Sequence, residues 1–285
     1  ADTLLPETPI SLLSGRMRDH WHGMSRTGTV PRLFNLEDEP LLAMHPCDMR
    51  HRALDTGDLV KVSNGRGELT VRVAEQAGLQ RGRAWMPMHW GNQFMNSPGA
   101  NAVASDAVDP FSKQPELKHA AVQIAKLDLP YPLAIIRRCP DQQAALELMQ
   151  RARAALPRFA YASLNLYGRS SPLVVFKAAT TEAISTELLD EMDVLFGLDG
   201  EEGAIVFADA GRRIAKKAIS SEGRLLGIRL AGEALAQTWL KKAMAEDELD
   251  ASLIRFALAP SAKPPVTMAP RKIICKCADV SDVQI

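Results

Sequence analysis

Two alternating runs joined by a short glycine-bearing turn constrain this chain more than any other stretch. Leu59-Val-Lys-Val-Ser63 and Glu68-Leu-Thr-Val-Arg-Val73 alternate apolar and polar side chains, so each has one face for a core and one for water. Asn64-Gly65 between them is a favoured two-residue turn pair, with Gly67 leaving the register of the turn open. The spacing predicts a β-hairpin. Further short strands are expected at Leu41–Met44 and Arg83–Met88, with a brief helix between them opened by Pro46 and carrying Asp48 in its first turn. Many short strands with glycine-bearing turns point to a barrel, not to a sheet of βαβ units.

Past Leu127-Asp-Leu-Pro-Tyr-Pro132 the pattern changes. Pro140-Asp141 caps a predicted helix with Ala145, Leu146, Met149, Ala152 and Leu156 on one face. A second helix carries Ile184, Leu188, Leu189, Met192, Leu195 and Phe196 and stops at Gly197. Strands are expected at Leu133–Arg138, Leu173–Phe176 and Ala204–Phe207, with a hairpin of Lys217–Ser220 and Arg224–Leu230 turning at Glu222-Gly223. A third helix over Glu233–Ala245 would bury Leu235, Trp239 and Leu240. Four prolines between residues 259 and 270 then hold the chain extended as a linker. The predicted fold class is therefore mixed: a barrel over 1–128, a small α+β domain over 129–258 serving as a spacer or docking unit, a linker over 259–271, and the start of another module over 272–285.

The 34 basic and 34 acidic residues cancel, so there is no net field to gather nucleic acid or an anionic membrane surface. No apolar run approaches the ~20 residues that span a bilayer, and no targeting segment opens the chain. Cys47, Cys139, Cys275 and Cys277 are too few and too unevenly placed for a secreted disulfide framework, so a reducing, cytoplasmic setting is expected. Both ends look cut from a longer polypeptide.

The densest polar constellation runs from Ser14 to Thr29 and gathers Gly15, Arg16, Met17, Arg18, Asp19, His20, Trp21, His22 and Gly23. Such a run suits a phosphorylated heterocycle: glycines admit a close approach of backbone, N–H groups and hydroxyls donate to phosphate, and guanidinium groups grip it through paired N–H donors. The bland alternative is a solvated loop. A metal at His20 and His22 is disfavoured, since no third and fourth ligand lie nearby.

Taken in order, Ser14-Gly15-Arg16, His20-Trp21-His22, Met24-Ser25-Arg26-Thr27, His45-Pro46, Asp48, Thr56-Gly57-Asp58, Met86-Pro87, His89-Trp90, Asn101, Asp109-Pro110, Ser112-Lys113, Pro115 and Lys118 resemble the C-terminal molybdopterin-dinucleotide-binding domain of the molybdenum oxidoreductases. That family includes nitrate reductases and formate dehydrogenases. The resemblance covers about residues 8 to 125 and implies a six-stranded double-psi β-barrel. It also implies that the loop from Ser14 to Gly23 wraps one dinucleotide of a bis(molybdopterin guanine dinucleotide) molybdenum cofactor, that Asn101 hydrogen-bonds the pterin, and that Lys118 lies near it. Two departures stand out. Gly23 replaces a threonine of the periplasmic nitrate reductase type, and Met88-His89-Trp90 falls where relatives line the substrate funnel, making His89 a candidate contact to an oxyanion.

Cys275-Lys-Cys277 follows the linker and resembles the first half of a [2Fe–2S] domain of the bacterioferritin-associated-ferredoxin type; the other two ligands would lie beyond Ile285. A barrel followed by such a module is the arrangement of bacterial assimilatory nitrate reductases. The resemblance thus implies nitrate as substrate, an electron donor, and missing N-terminal domains of the same chain that carry the metal ligand and a [4Fe–4S] cluster. No catalytic residue is expected in this fragment, which alone should not turn over. A formate dehydrogenase-type activity and a non-catalytic docking module are the alternatives. The middle segment has no glycine-rich dinucleotide fingerprint, so it gives no support for a flavin role.

Overall fold

The computed structural model describes residues 2–169, 171–200, 202–246, 254, 256–264, 273–275 and 280–281. They fall into two compact units. The first comprises Ala1–Thr27, Glu39–Leu129 and Ala155–Ser163; the second comprises Gly28–Asp38, Pro130–Ala154 and the described residues from Leu164 onward.

Six strands close the first unit into a barrel: β1 (Ile10–Gly15), β2 (Leu41–Met44), β3 (Leu59–Asn64), β4 (Gly67–Glu75), β5 (Arg83–Pro87) and β6 (His119–Lys126), in the order β1-β5-β2-β4-β3-β6. β1 runs parallel to β5 and β2 parallel to β4, while the other neighbours are antiparallel. Alternation explains the closure. Leu69, Val71 and Val73 of β4 point inward with Val60 and Val62 of β3, Leu12 of β1, Met86 of β5 and Val122 of β6, leaving Thr70 and Arg72 on the outer face.

The hairpin turn sits one residue later than the Asn64-Gly65 pair suggested, because Asn64 pairs with Gly67 and leaves Gly65-Arg66 at the tip. The reason is the Asn64 amide. Its Oδ1 accepts from Arg66 N at 2.9 Å, and its Nδ2 donates to Val103 O at 3.0 Å and Ala121 O at 3.2 Å, so the side chain is spent inside the barrel rim. The short helix α1 (Pro46–His51) is capped by His45, whose Nδ1 accepts from Cys47 N at 3.1 Å. Asp48 does more than complement the helix dipole, since its Oδ2 accepts from Gly82 N at 2.6 Å and ties α1 to the start of β5.

The second sheet is formed by β7 (Tyr131–Arg138), β8 (Tyr161–Tyr167), β9 (Leu173–Thr180), β10 (Ala204–Asp209), β11 (Ile214–Ser221) and β12 (Arg224–Ala231), ordered β10-β11-β12-β7-β9-β8. The helices are α2 (Gln142–Ala152), α3 (Thr186–Phe196) and α4 (Gln237–Glu246). Asp141 Oδ1 accepts from Ala144 N at 2.8 Å and caps α2, Ser185 Oγ caps α3, and Gly197 closes α3 in a left-handed conformation. Leu235, expected in the core, is 57% exposed because α4 starts two residues beyond it; Trp239 and Leu240 are buried as expected.

The division into units is not contiguous in sequence. Residues 28–38 belong to the second unit, where Gln142 Nε2 donates to Thr29 O at 2.8 Å, Gly168 N donates to Asn35 Oδ1 at 3.1 Å, and Asp38 lies between the Lys177 and Lys241 ammonium groups. Residues 155–163 belong to the first unit. There Asn96 pairs with Phe159 O and Ala162 N, and Tyr161 donates to Glu39 Oε2 at 2.6 Å beneath the Arg72 guanidinium. Polar side chains buried far apart in sequence thus settle where these segments go.

Of the terminal module, β13 (Ile273–Cys275) pairs antiparallel with β14 (Val280–Ser281). Cys275 lies in β13, whereas Cys277 and residues 265–272 of the linker region lie outside the described residues.

Candidate functional site

β1 ends at Gly15 beside β5, and the chain then leaves the barrel as a loop. Gly15 makes a close approach: a Cβ there would lie 2.8 Å from Trp85 Nε1, and the indole would have to shift. The β1–β5 ladder runs one bond further, with Met88 N donating to Gly15 O at 2.9 Å. His89 then takes over from the backbone. Its Nε2 accepts from Met17 N at 2.8 Å and its Nδ1 lies 2.6 Å from His22 O, which fixes the proton on Nδ1 as the donor to that carbonyl.

Two side chains turn beneath the loop. His20 is 3% exposed, packed edge-on against Trp90 at 5.4 Å with His89 at 5.7 Å, and its Nδ1 lies 3.4 Å from Thr27 Oγ1. Met24 is fully buried, and His22 and Met24 both have positive φ, at 45° and 60°. Desolvation, with His89 adding to it, pushes the His20 imidazole down to about 4, so it is neutral near pH 7. Burial likewise lowers His89, whose neutral form is the one that accepts from Met17.

With those anchors inward, Arg16, Arg18, Trp21, His22 and Gly23 are left on the surface. The Arg16 guanidinium stacks 4.1 Å above the Trp21 ring, and Asp19 holds the Arg18 fork through bonds of 2.9 and 3.1 Å. A side chain at Gly23 would meet nothing within 4 Å, so space does not require glycine there.

Ser14 joins this loop to a second patch. Its N donates to Lys118 O at 3.2 Å and its Oγ donates to Leu117 O at 2.6 Å. Ser14, Ala100, Ala104, Leu117 and His119 line a shallow surface niche of about 10 Å³, and the neighbouring Asn101 and Lys118 side chains are exposed. Ser14, at the start of the loop, and the chain neighbours of Asn101 and Lys118 therefore border the same small niche on the barrel.

His119 was not singled out from sequence. It lines the niche, and its buried Nδ1 has no hydrogen-bond partner among the described residues, leaving capacity for one more bond. Thr27, whose Oγ1 accepts from Trp21 N at 3.3 Å, was likewise not assigned a role in the loop. His89 is 1% exposed, and both of its nitrogens are engaged by backbone. Among the described residues there is no group of three or more His, Cys, Asp or Glu able to hold a metal, and no helix long and apolar enough to cross a membrane.

Residues 10–121 match the profile of the family described as "Molydopterin dinucleotide binding domain". The barrel is thus similar to molybdopterin-dinucleotide-binding domains. A curated relative, nitrate reductase of Klebsiella oxytoca, is 41% identical over 117 residues, which is 41% of this chain and 14% of the relative. The chain thus spans a small part of that relative's length. A solved structure, acetylene hydratase from Pelobacter acetylenicus, aligns with 42% of this chain and 19% of its own at a TM-score of 0.36 and 20% identity. The architecture agrees with the expectation from sequence: a closed six-stranded barrel and a second sheet with few helices.

The residues on the barrel fit a ligand of the kind that family is named for. Exposed guanidinium groups and an indole suit a nucleotide base and its phosphates, the Asn101 amide suits a pterin edge, and the Lys118 ammonium suits an anionic tail.

Proposed function

We propose that this chain is part of a molybdenum oxidoreductase that reduces nitrate to nitrite, with the barrel holding one guanine dinucleotide of a bis(molybdopterin guanine dinucleotide) cofactor. The observation that carries the reading is that Ser14 donates to the Leu117 and Lys118 carbonyls, which sets the start of the arginine-bearing loop beside the Lys118 segment, with Ala100, next to Asn101, across a shallow niche. The 41% identity to a protein named nitrate reductase supports the choice of substrate.

When bound, the cofactor supplies two-electron oxygen-atom transfer, converting nitrate, two electrons and two protons to nitrite and water. The part of this chain is to hold it. Gly15 lets the backbone approach, Arg16 and Arg18 offset phosphate charge, Trp21 gives the base a stacking face, and Asn101 and Lys118 hold the pterin end. Buried His20 and Met24 fix the loop from beneath.

The same reading puts the protein in a cytoplasmic, assimilatory setting. Electrons would come from a donor through iron–sulfur clusters: a [4Fe–4S] cluster in preceding domains and a [2Fe–2S] cluster that begins with Cys275 and Cys277. The test is molybdenum and guanine nucleotide assay of the purified full-length protein, followed by nitrate-dependent oxidation of a reduced dye. About one molybdenum and two guanine nucleotides per chain with nitrite production is the expected result. Absence of both from an otherwise folded protein would refute it, and formate oxidation in place of nitrate reduction would reassign the substrate.

A further inference from the structure

We infer that His89 is a positioning residue for the dinucleotide, a side-chain clamp that sets the backbone of the 17–22 loop. This rests on the cofactor reading above and assigns the residue a part other than touching substrate. The geometry is specific. Where the β1–β5 ladder ends at Met88 N and Gly15 O, the imidazole continues it, accepting from Met17 N at 2.8 Å and donating to His22 O at 2.6 Å. One ring therefore closes a six-residue loop from beneath, bonding its first and last residues.

What lies between those bonds explains why the clamp matters. Arg18, Asp19 and Trp21 are carried by the clamped residues, and Arg16, just ahead of them, stacks on Trp21. His22 at the far bond has φ 45°, a conformation that L-residues adopt at a cost unless neighbours hold it. His89 is itself immobilised, being 1% exposed, with ring contacts to Trp90 at 6.4 Å and His20 at 5.7 Å. A rigid ring with one donor and one acceptor thus presets the backbone from which the ligand-facing side chains project.

Only the neutral imidazole with its proton on Nδ1 makes both bonds, since a protonated Nε2 would face the Met17 N–H. Glutamine offers the same pair of functions, an oxygen acceptor and an N–H donor, whereas leucine offers neither.

The experiment compares full-length wild type, H89Q and H89L by three measurements. These are amide exchange of peptides covering 15–24 in cofactor-free protein, guanine nucleotide retained after gel filtration, and KM for nitrate. H89L is expected to exchange about tenfold or more faster across this loop and to lose guanine nucleotide, while exchange in β3 and β4 stays unchanged. H89Q is expected to recover most of both. Nitrate KM per loaded site should stay within about twofold in all three. Unchanged exchange in H89L would overturn the inference, as would a raised nitrate KM with full cofactor content, which would return His89 to the substrate funnel. If H89L fails to fold, H89Q decides alone: loss of loop protection there contradicts the clamp. Wild type lacking guanine nucleotide would instead refute the cofactor reading, and the exchange arm separates that failure from this one.

Discussion

Replacing Asp38 by Asn removes a carboxylate that two buried ammonium groups share. Asp38 is 8% exposed, its oxygens lie 3.0 Å from Lys177 Nζ and 2.7 Å from Lys241 Nζ, and Lys241 sits 4.5 Å from the centre of the Tyr167 ring. Burial by itself would raise this carboxyl, but the Lys177 and Lys241 charges outweigh it and hold it well below the usual carboxylate range. Removing one partner from a buried charge cluster typically costs about 3–5 kcal/mol, because the charges left behind keep their desolvation penalty. Exchange of amides in β7 and β9 that open with the whole unit should therefore speed up by about 100-fold or more at neutral pH. A folded-state value below the unfolded one means that the stabilisation is present above the unfolded pKa and lost as pH falls. The difference between wild type and D38N should thus be flat from about pH 5 to 8 and shrink below about pH 4. The triple variant D38L/K177M/K241M should fall well short of the single-variant loss, since it leaves no buried charge in the cluster. A D38N effect under about 1 kcal/mol, or a triple variant as damaged as D38N, would refute the reasoning.

Three further outcomes follow from the same geometry. Gly99 has φ 67° and a Cβ there would lie 1.9 Å from Trp90 O, so Gly99→Ala should cost more than about 2 kcal/mol and displace Asn101; thermal unfolding and guanine nucleotide content read the two effects. Asn101→Leu and Lys118→Met change exposed side chains, so each should lower guanine nucleotide content with the unfolding temperature of the cofactor-free protein moved by no more than about 2 °C. Burial pushes the Cys139 thiol up to about 11, so iodoacetamide at pH 8 should spare it in the native protein and modify it after denaturation, as read by peptide mass mapping.

The sequence was most legible where local pattern and final environment agree. In β4 the alternation of Leu69, Val71 and Val73 with polar neighbours is the inside and outside of the barrel, and Asp141 and Gly197 mark helix ends by local chemistry alone. β8 was not legible, because Tyr161–Tyr167 is buried along its whole length with Ser163 and Asn165 inside, and such a run lacks the polar face that periodicity detects. β1 and β6 were missed beside a loop rich in functional residue types. The placement of 28–38 and 155–163 depends on pairs more than a hundred residues apart, Asp38 with Lys177 and Lys241, and Glu39 with Tyr161. In the candidate site, residue types named the loop, but its division into buried His20 and Met24 and exposed Arg16 and Trp21 is set by the β5 rim beneath it. His89 shows the limit clearly: a histidine that accepts from a backbone amide and one that contacts an oxyanion have the same letter and the same place after a strand.

Amide exchange of the full-length protein with its cofactor bound and after its removal tests the central claim most directly. Protection gained in three separate stretches, 14–23, 99–103 and 117–119, is the predicted result, because all three border the niche that Ser14 lines. Protection confined to other faces of the barrel, or absent from these three stretches while the cofactor stays bound, would contradict it.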